Sequence, residues 1–116
     1  MILVIGGMTS GRKTYVLSLG YAEETFSQDP YSDAPVIYGV EKYILDNIET
    51  IDIAGLADAL SKKEVVICQE VGMGVIPVEY ESRLLREKVG SICTHLGNRA
   101  DRIVRVICGV PMVIKG

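Results

Sequence analysis

The chain opens MILVIGGMTSGRKT, Met1 to Thr14, and the reading of this stretch decides the fold. Four consecutive apolar residues, Ile2 to Ile5, have the length and composition of a short buried strand. Gly6 and Gly7 end it. A third glycine follows at Gly11, then two cations at Arg12 and Lys13, a hydroxyl at Thr14 and a helix-like pattern. Strand, glycine-rich loop and helix in that order are the plan of a phosphate-binding loop. Glycines let backbone N–H groups approach phosphate oxygens, and a cation at the start of the helix reaches the terminal phosphate. The G-x-x-x-x-G-K-[ST] signature is met in its glycines, Gly6 and Gly11, but Arg12 stands at the lysine position and Lys13 at the hydroxyl position. Thr14 falls one place beyond the usual magnesium ligand. Arg12 offers a planar fork where the signature has a compact ammonium. The plain alternative is a tight strand-to-helix turn that binds nothing.

Working outward, the pattern stays that of alternating strands and helices. A helix is expected from Gly11 or Arg12 to about Gly20. Phe26 to Pro35, dense in Ser, Asp and Pro, reads as loop, and Val36 to Tyr38 as a brief strand. Val40, Tyr43, Ile44 and Ile48 then have helical spacing. Asp52 is a candidate N-cap for a second helix, with Ile53, Leu56, Ala57 and Leu60 at i, i+3, i+4 and i+7. Glu64 to Cys68 is apolar without alternation, as a strand buried on both faces is. It opens into a second glycine loop, Glu70 to Pro77. Glu79 to Leu96 is the longest helix, ended by Gly97 or Asn98. Ile103 to Cys108 and Val110 to Ile114 are the last strands, with Gly109 allowing a tight reversal that makes the final one antiparallel. The prediction is one α/β domain over residues 1–116, three-layered, with a mainly parallel sheet. In such sheets ligands sit at the C-terminal strand ends, where both glycine loops emerge.

Composition narrows the function. A length of 116 residues with 48% apolar content suits a single domain with its own core. A net charge of −3 and a pI near 5.1 argue against binding nucleic acid, which requires a basic face. No apolar run approaches a membrane span, and no basic leader precedes the first strand, so a cytoplasmic protein without a membrane partner is expected. Cys68, Cys93 and Cys108 are widely spaced, each within an apolar pattern, and are expected to be buried free thiols in a reducing compartment. The single histidine, His95, excludes a zinc site built on several histidines.

The second loop, E-V-G-M-G-V-I-P from Glu70 to Pro77, is followed by an Arg-bearing helix and the ending I-x-R-V-I-C-G-V-P-x-V-I-K. Together with the opening M-I-L-V-x-G-G-x-x-S-G, these blocks resemble the adenosylcobinamide kinase / adenosylcobinamide-phosphate guanylyltransferase family of cobalamin biosynthesis. The resemblance covers Met1 to about Tyr15 and about Val65 to Lys115. It implies a P-loop (RecA-like) domain and an oligomer, typically a trimer. It also implies phosphorylation of the aminopropanol hydroxyl of adenosylcobinamide by a nucleoside triphosphate, GTP or ATP, with Mg2+. The family's second reaction transfers GMP through a GMP-linked histidine in the middle of the chain.

Carried over position by position, Gly6, Gly7, Ser10 and Gly11 match the phosphate loop, and Glu70, Gly72, Gly74 and Pro77 match the second loop. The expected catalytic residues are Arg12, Lys13 and Glu70. Gly6, Gly7, Ser10, Gly11, Thr14, Gly72 and Gly74 are the nucleotide contacts, and Thr14 and Glu70 the metal contacts. The middle segment is expected to lie outside the resemblance, since Pro35 to Leu45 holds no histidine. Without an imidazole the phosphoramidate intermediate of guanylyl transfer has no acceptor. The kinase step depends on positioning and charge neutralisation, which Arg12 and Lys13 can supply. The alternatives are a catalytically inactive module that binds nucleotide or corrinoid, or a subunit that only oligomerises.

Overall fold

Residues Ile2–Gly6 form the first strand, β1, and its neighbours explain why its sequence does not alternate. Leu3 points into one buried cluster and Val4 into another on the opposite face of the sheet. The computed structural model describes residues 1–7, 10–70 and 80–116, with side chains of the last stretch from Arg83 onward. After β1 come α1 (Arg12–Ser18), a 3-10 turn at Glu23–Thr25, β2 (Phe26–Ser27), β3 (Val36–Ile37), α2 (Val40–Asp46) and α3 (Ile53–Ser61). Then follow β4 (Val65–Gln69), α4 (Tyr80–Arg99), β5 (Arg102–Ile107) and β6 (Val110–Lys115). The six strands make one sheet in the order β2-β3-β4-β1-β5-β6. All pairs are parallel except β5 with β6. This is the α/β fold predicted from sequence, including its antiparallel last strand.

Both faces of the sheet are covered. On one, Leu3, Ile37, Val66 and Cys68 pack against Val40 and Ile44 of α2, Leu56, Ala57 and Leu60 of α3, and Val89, Ile92 and Leu96 of α4. On the other, Val4, Val36, Val65, Ile67, Val104 and Val106 meet Val16 of α1, flanked by Tyr15, Tyr21, Phe26 and Tyr38. The i, i+3, i+4, i+7 stripe read for α3 is the face that is buried, and each fully buried leucine contributes about 1.5–3 kcal/mol of transfer free energy. Asp52 occupies the N-cap position of α3, but its side chain makes no capping bond and instead lies over Gly55, where an added Cβ would meet Oδ2 at 2.7 Å.

Four local expectations change. Phe26 and Ser27, read as loop, pair in parallel with Val36 and Ile37 as a two-residue edge strand. The ring of Phe26, packed at the edge of the second cluster, holds the chain there. α4 runs past Gly97 and Asn98 to Arg99, because Leu96 and Ala100 are both buried and continue the packed stripe. Cys108, expected inside, is exposed. It has φ 51° beside Gly109 at φ 77°, and this pair of positive angles makes the tight turn of the β5–β6 hairpin. Cys93, also expected inside, is partly exposed, while β6, read as a strand, is one and is exposed along its whole length. No helix among the described residues is long and apolar enough to cross a membrane.

Leu60 is fully enclosed between α3 and the sheet cluster. Leu60→Ala is expected to cost about 2–5 kcal/mol. Urea titration should show the midpoint falling with the slope unchanged, since the surface exposed on unfolding stays the same.

Candidate functional site

Topology selects one place for a site. From β1 the chain passes through α1, on one face, to β2 on the far side of β4. From β4 it passes through α4, on the other face, to β5 on the far side of β1. The neighbours β1 and β4 thus send their crossovers in opposite directions, and the crevice between their C-terminal ends is where ligands bind in sheets of this kind. Their register sets Gly6 beside Gln69, and the Glu70 N–H donates to the Gly6 carbonyl at 2.8 Å. The two glycine loops of the sequence therefore start from adjacent strand ends. Met8, Thr9 and 71–79, which include Gly72, Gly74 and Pro77, lie outside the described residues.

The first loop is folded tightly on itself. A Cβ on Gly6 would lie 2.5 Å from Ser10 Oγ and 2.6 Å from the Val106 carbonyl, so only glycine fits where the loop turns back over the sheet. Gly7 accepts the Ser10 N–H at 3.3 Å, and the Ser10 carbonyl accepts the N–H of Gly109 from the hairpin turn at 2.8 Å. The Ser10 side chain is buried, and its hydroxyl has no hydrogen-bond partner among the described residues. Gly11 adopts φ 91°, the left-handed conformation, and hands the chain to α1, its carbonyl accepting the Tyr15 N–H at 2.9 Å.

Gly11, Arg12, Lys13 and Thr14 form one wall of a cleft of about 410 Å³. Gln28, Tyr38, Gly39, Glu41 and Lys42 complete most of the rest. Gly39, at φ 67°, starts α2 and so brings Glu41 and Lys42 to the rim. Both sequence-predicted cations are engaged. The Arg12 guanidinium is largely enclosed, 3.9 Å from Glu41 Oε1, while Glu41 Oε2 is buried without a hydrogen-bond partner among the described residues. Lys13 Nζ lies 4.7 Å from the Tyr38 ring centroid and 5.7 Å from that of Phe26, with Glu23 Oε1 at 3.3 Å. Thr14 is exposed on the cleft wall.

Glu70, the third predicted catalytic residue, is arranged differently. Arg105 of β5 grips both its oxygens, Nε to Oε1 at 2.8 Å and Nη2 to Oε2 at 3.0 Å. The pair spans from the end of β4 to β5 past the end of β1, and it locks the three strands where the loops leave. Sequence reading did not single out Arg105. The signal available was the strand pattern of β5, in which a half-buried Arg interrupts apolar positions and calls for an anionic partner. Glu41 was also missed. It reads as the solvated face of α2, and only the turn at Gly39 aims it at Arg12. His95, partly exposed on α4, does not line the cleft. Among the described residues no group of three or more His, Cys, Asp or Glu is placed to hold a metal ion.

The Glu70–Arg105 pair is bidentate but only partly shielded, so its energy lies between that of exposed and buried pairs. A double-mutant cycle of Glu70→Gln and Arg105→Met, followed by urea unfolding, should return a coupling of about 1 kcal/mol.

Comparison with known proteins bears on the whole arrangement. A family model described as cobinamide kinase / cobinamide phosphate guanyltransferase matches residues 39–114, about two thirds of the chain. The match takes in Glu41, α2 and α3, so the middle segment, expected to fall outside the resemblance, lies within it from Gly39 onward. It begins after the first glycine loop. No curated protein matches the chain. With its sheet, its strand-end loops and this match, the chain belongs to the cobinamide kinase / cobinamide phosphate guanyltransferase family.

Proposed function

We propose that the chain binds a nucleoside triphosphate, GTP or ATP, with its phosphates at the Gly6–Gly11 loop and the adjoining cleft, and that it carries the kinase reaction of its family without the histidine-dependent guanylyl transfer. The observation that carries this reading is the cleft beside the start of α1, floored by Ile67 of β4 and edged by Gln28 and Tyr38 after β2 and β3, where Gly11, Arg12, Lys13, Thr14 and Lys42 come together. In this reading the backbone amides of the loop, from Gly7 to Gly11, take the phosphate oxygens, and the Ser10 and Thr14 hydroxyls add donors. Arg12, Lys13 and Lys42 balance charge as the γ-phosphoryl group passes from the nucleotide to an alcohol oxygen and the alcohol proton leaves. By resemblance, Gly72 and Gly74 of the second loop are further nucleotide contacts. By resemblance the acceptor is the aminopropanol hydroxyl of adenosylcobinamide, and the chain assembles as a homo-oligomer of the family's trimeric kind.

Mg2+ would arrive with the nucleotide, since this ion keeps several waters and is held mainly by phosphates with one or two protein oxygens. Thr14 and Glu41, which line the cleft, fit that minimal role, and Glu41 has a buried oxygen without a partner among the described residues. Glu70 takes one bond from Arg105 on each oxygen, which leaves each oxygen a further lone pair for a water or a cation. Guanylyl transfer through a histidine finds no support here, because His95 is the single histidine and lies on α4.

One observation favours a second reading, in which the chain binds nucleotide or corrinoid but does no chemistry. Arg12 and Lys13 already have carboxylate partners in Glu41 and Glu23, so neither is a free cation awaiting phosphate. Thermal unfolding with Mg2+ and ATP, GTP or GDP tests for binding. A nucleotide at about 100 times its dissociation constant adds about 2.7 kcal/mol, roughly a 10 °C rise in Tm for a domain of this size. The rise is expected with GTP or ATP and should largely disappear in Arg12→Ala. The absence of any rise at millimolar nucleotide would defeat both nucleotide readings. Formation of cobinamide phosphate by the unaltered protein then separates the kinase from the silent binder.

A further inference from the structure

The described part of the molecule holds a second reactive pair, which the nucleotide reading does not use. Cys68, on β4, is fully buried, and Cys93, on α4, is partly exposed. Their sulfurs are 3.9 Å apart and share a hydrogen bond, although the residues stand 25 positions apart in the chain. A disulfide needs about 2.05 Å between sulfurs, so about 2 Å of further approach between a strand end and a helix completes the bond.

We infer that Cys68 and Cys93 form a reversible, redox-active pair, closed by the disulfide of a low-molecular-weight thiol and reopened by dithiol reductants. The roles of the two sulfurs differ. The Cys93 thiol donates its hydrogen bond to the Cys68 sulfur, and Cys68 is fully buried. Cys93, the one solvent reaches, attacks first. Its thiolate takes one sulfur of glutathione disulfide, and one glutathione thiolate leaves and is protonated. Cys68 then gives its proton to solvent and attacks the Cys93 sulfur of the mixed disulfide, releasing the second glutathione. Two protein thiols are oxidised to one disulfide, and one glutathione disulfide is reduced to two thiols.

The bond would act on the candidate site through the chain. Cys68 is followed at once by Gln69, paired with Gly6, and by Glu70, which holds both the Gly6 carbonyl and Arg105. Tying Cys68 to α4 would fix the strand end from which the second loop starts. Exposed Cys108 is not part of the pair and would confuse its assay, so the test uses Cys108→Asn, a residue at home at positive φ.

The folded variant is incubated with glutathione disulfide in excess over glutathione and then digested without reduction. The expected product is a peptide pair joined through Cys68 and Cys93, lighter by two hydrogens than the separate peptides. It should be absent in Cys93→Ser and lost on treatment with dithiothreitol. Recovery of unmodified thiols alone, or of glutathione held on Cys93 with no onward linkage, would overturn the inference. Oxidation through global unfolding is separated by adding Leu60→Ala, which raises the unfolded population about 30-fold or more. A native pair should react at nearly the same rate in that background. A rate that rises with the unfolded population would also overturn it.

Discussion

Everything at the candidate site hangs on β1 being held on both sides. Its residues pair with β4 through Ile2–Val65 to Gly6–Gln69 and with β5 through Ile2–Arg102 to Gly6–Val106, all in parallel register. That double pairing places Gly6 where the Glu70 amide, the Val106 carbonyl and the Ser10 side chain converge. The loop after β1 has no room for a side chain at this point. The Glu70–Arg105 pair adds a charged clasp from β4 to β5, around the strand they enclose. A shift of β1 by one residue would exchange Leu3 and Val4 between two clusters that are each already filled, so register is specified from both faces.

The electrostatics of the cleft differ from those of a bare cationic pocket. Arg12 faces Glu41, and Lys13 rests on Tyr38 and Phe26 with Glu23 nearby. An arriving polyphosphate would exchange these weak contacts for stronger ones. The exposure of Lys13 and Glu23 keeps their part of the exchange inexpensive, whereas the enclosed Arg12–Glu41 pair, at 3.9 Å, would need new bonds for both of its members. Aromatic support for Lys13 survives the exchange, because the ring face orients the ammonium without claiming its hydrogen bonds. A helix start that carries Arg and Lys where the common signature has Lys and a hydroxyl thus places its charges by partners supplied from β2, β3 and α2.

The parts of this arrangement that were legible in the sequence are those with a local cause. Unalternating runs at Ile2–Ile5 and Val65–Cys68 mark strands with both faces covered, and they are the central strands. The α3 stripe and the Gly109 reversal follow from spacing and backbone freedom. The family was readable from the E-V-G-M-G-V-I-P block and the ending, and the match over residues 39–114 bears it out. What was not legible depends on tertiary approach. Phe26 and Ser27 become a strand only because β3 lies beside them, and Cys108 is exposed because the hairpin turns at it rather than beyond it. Glu41 and Arg105 are ordinary charged residues until Gly39 and β1 bring Arg12 and Glu70 to them.

The sheet order also has a consequence for how the chain reaches its final form. β1 is synthesised before both of its partners, β4 and β5, and β5 begins only at Arg102. No nearby hairpin can satisfy its backbone in the meantime. Contacts of such long sequence separation carry a large loop-closure cost and form slowly. Until β4 and β5 have emerged, the apolar run Ile2–Ile5 is an unpaired strand looking for a neighbour, which is the condition under which nascent chains aggregate or recruit holdases. The segment that organises the finished molecule is thus also the one that waits longest during its assembly.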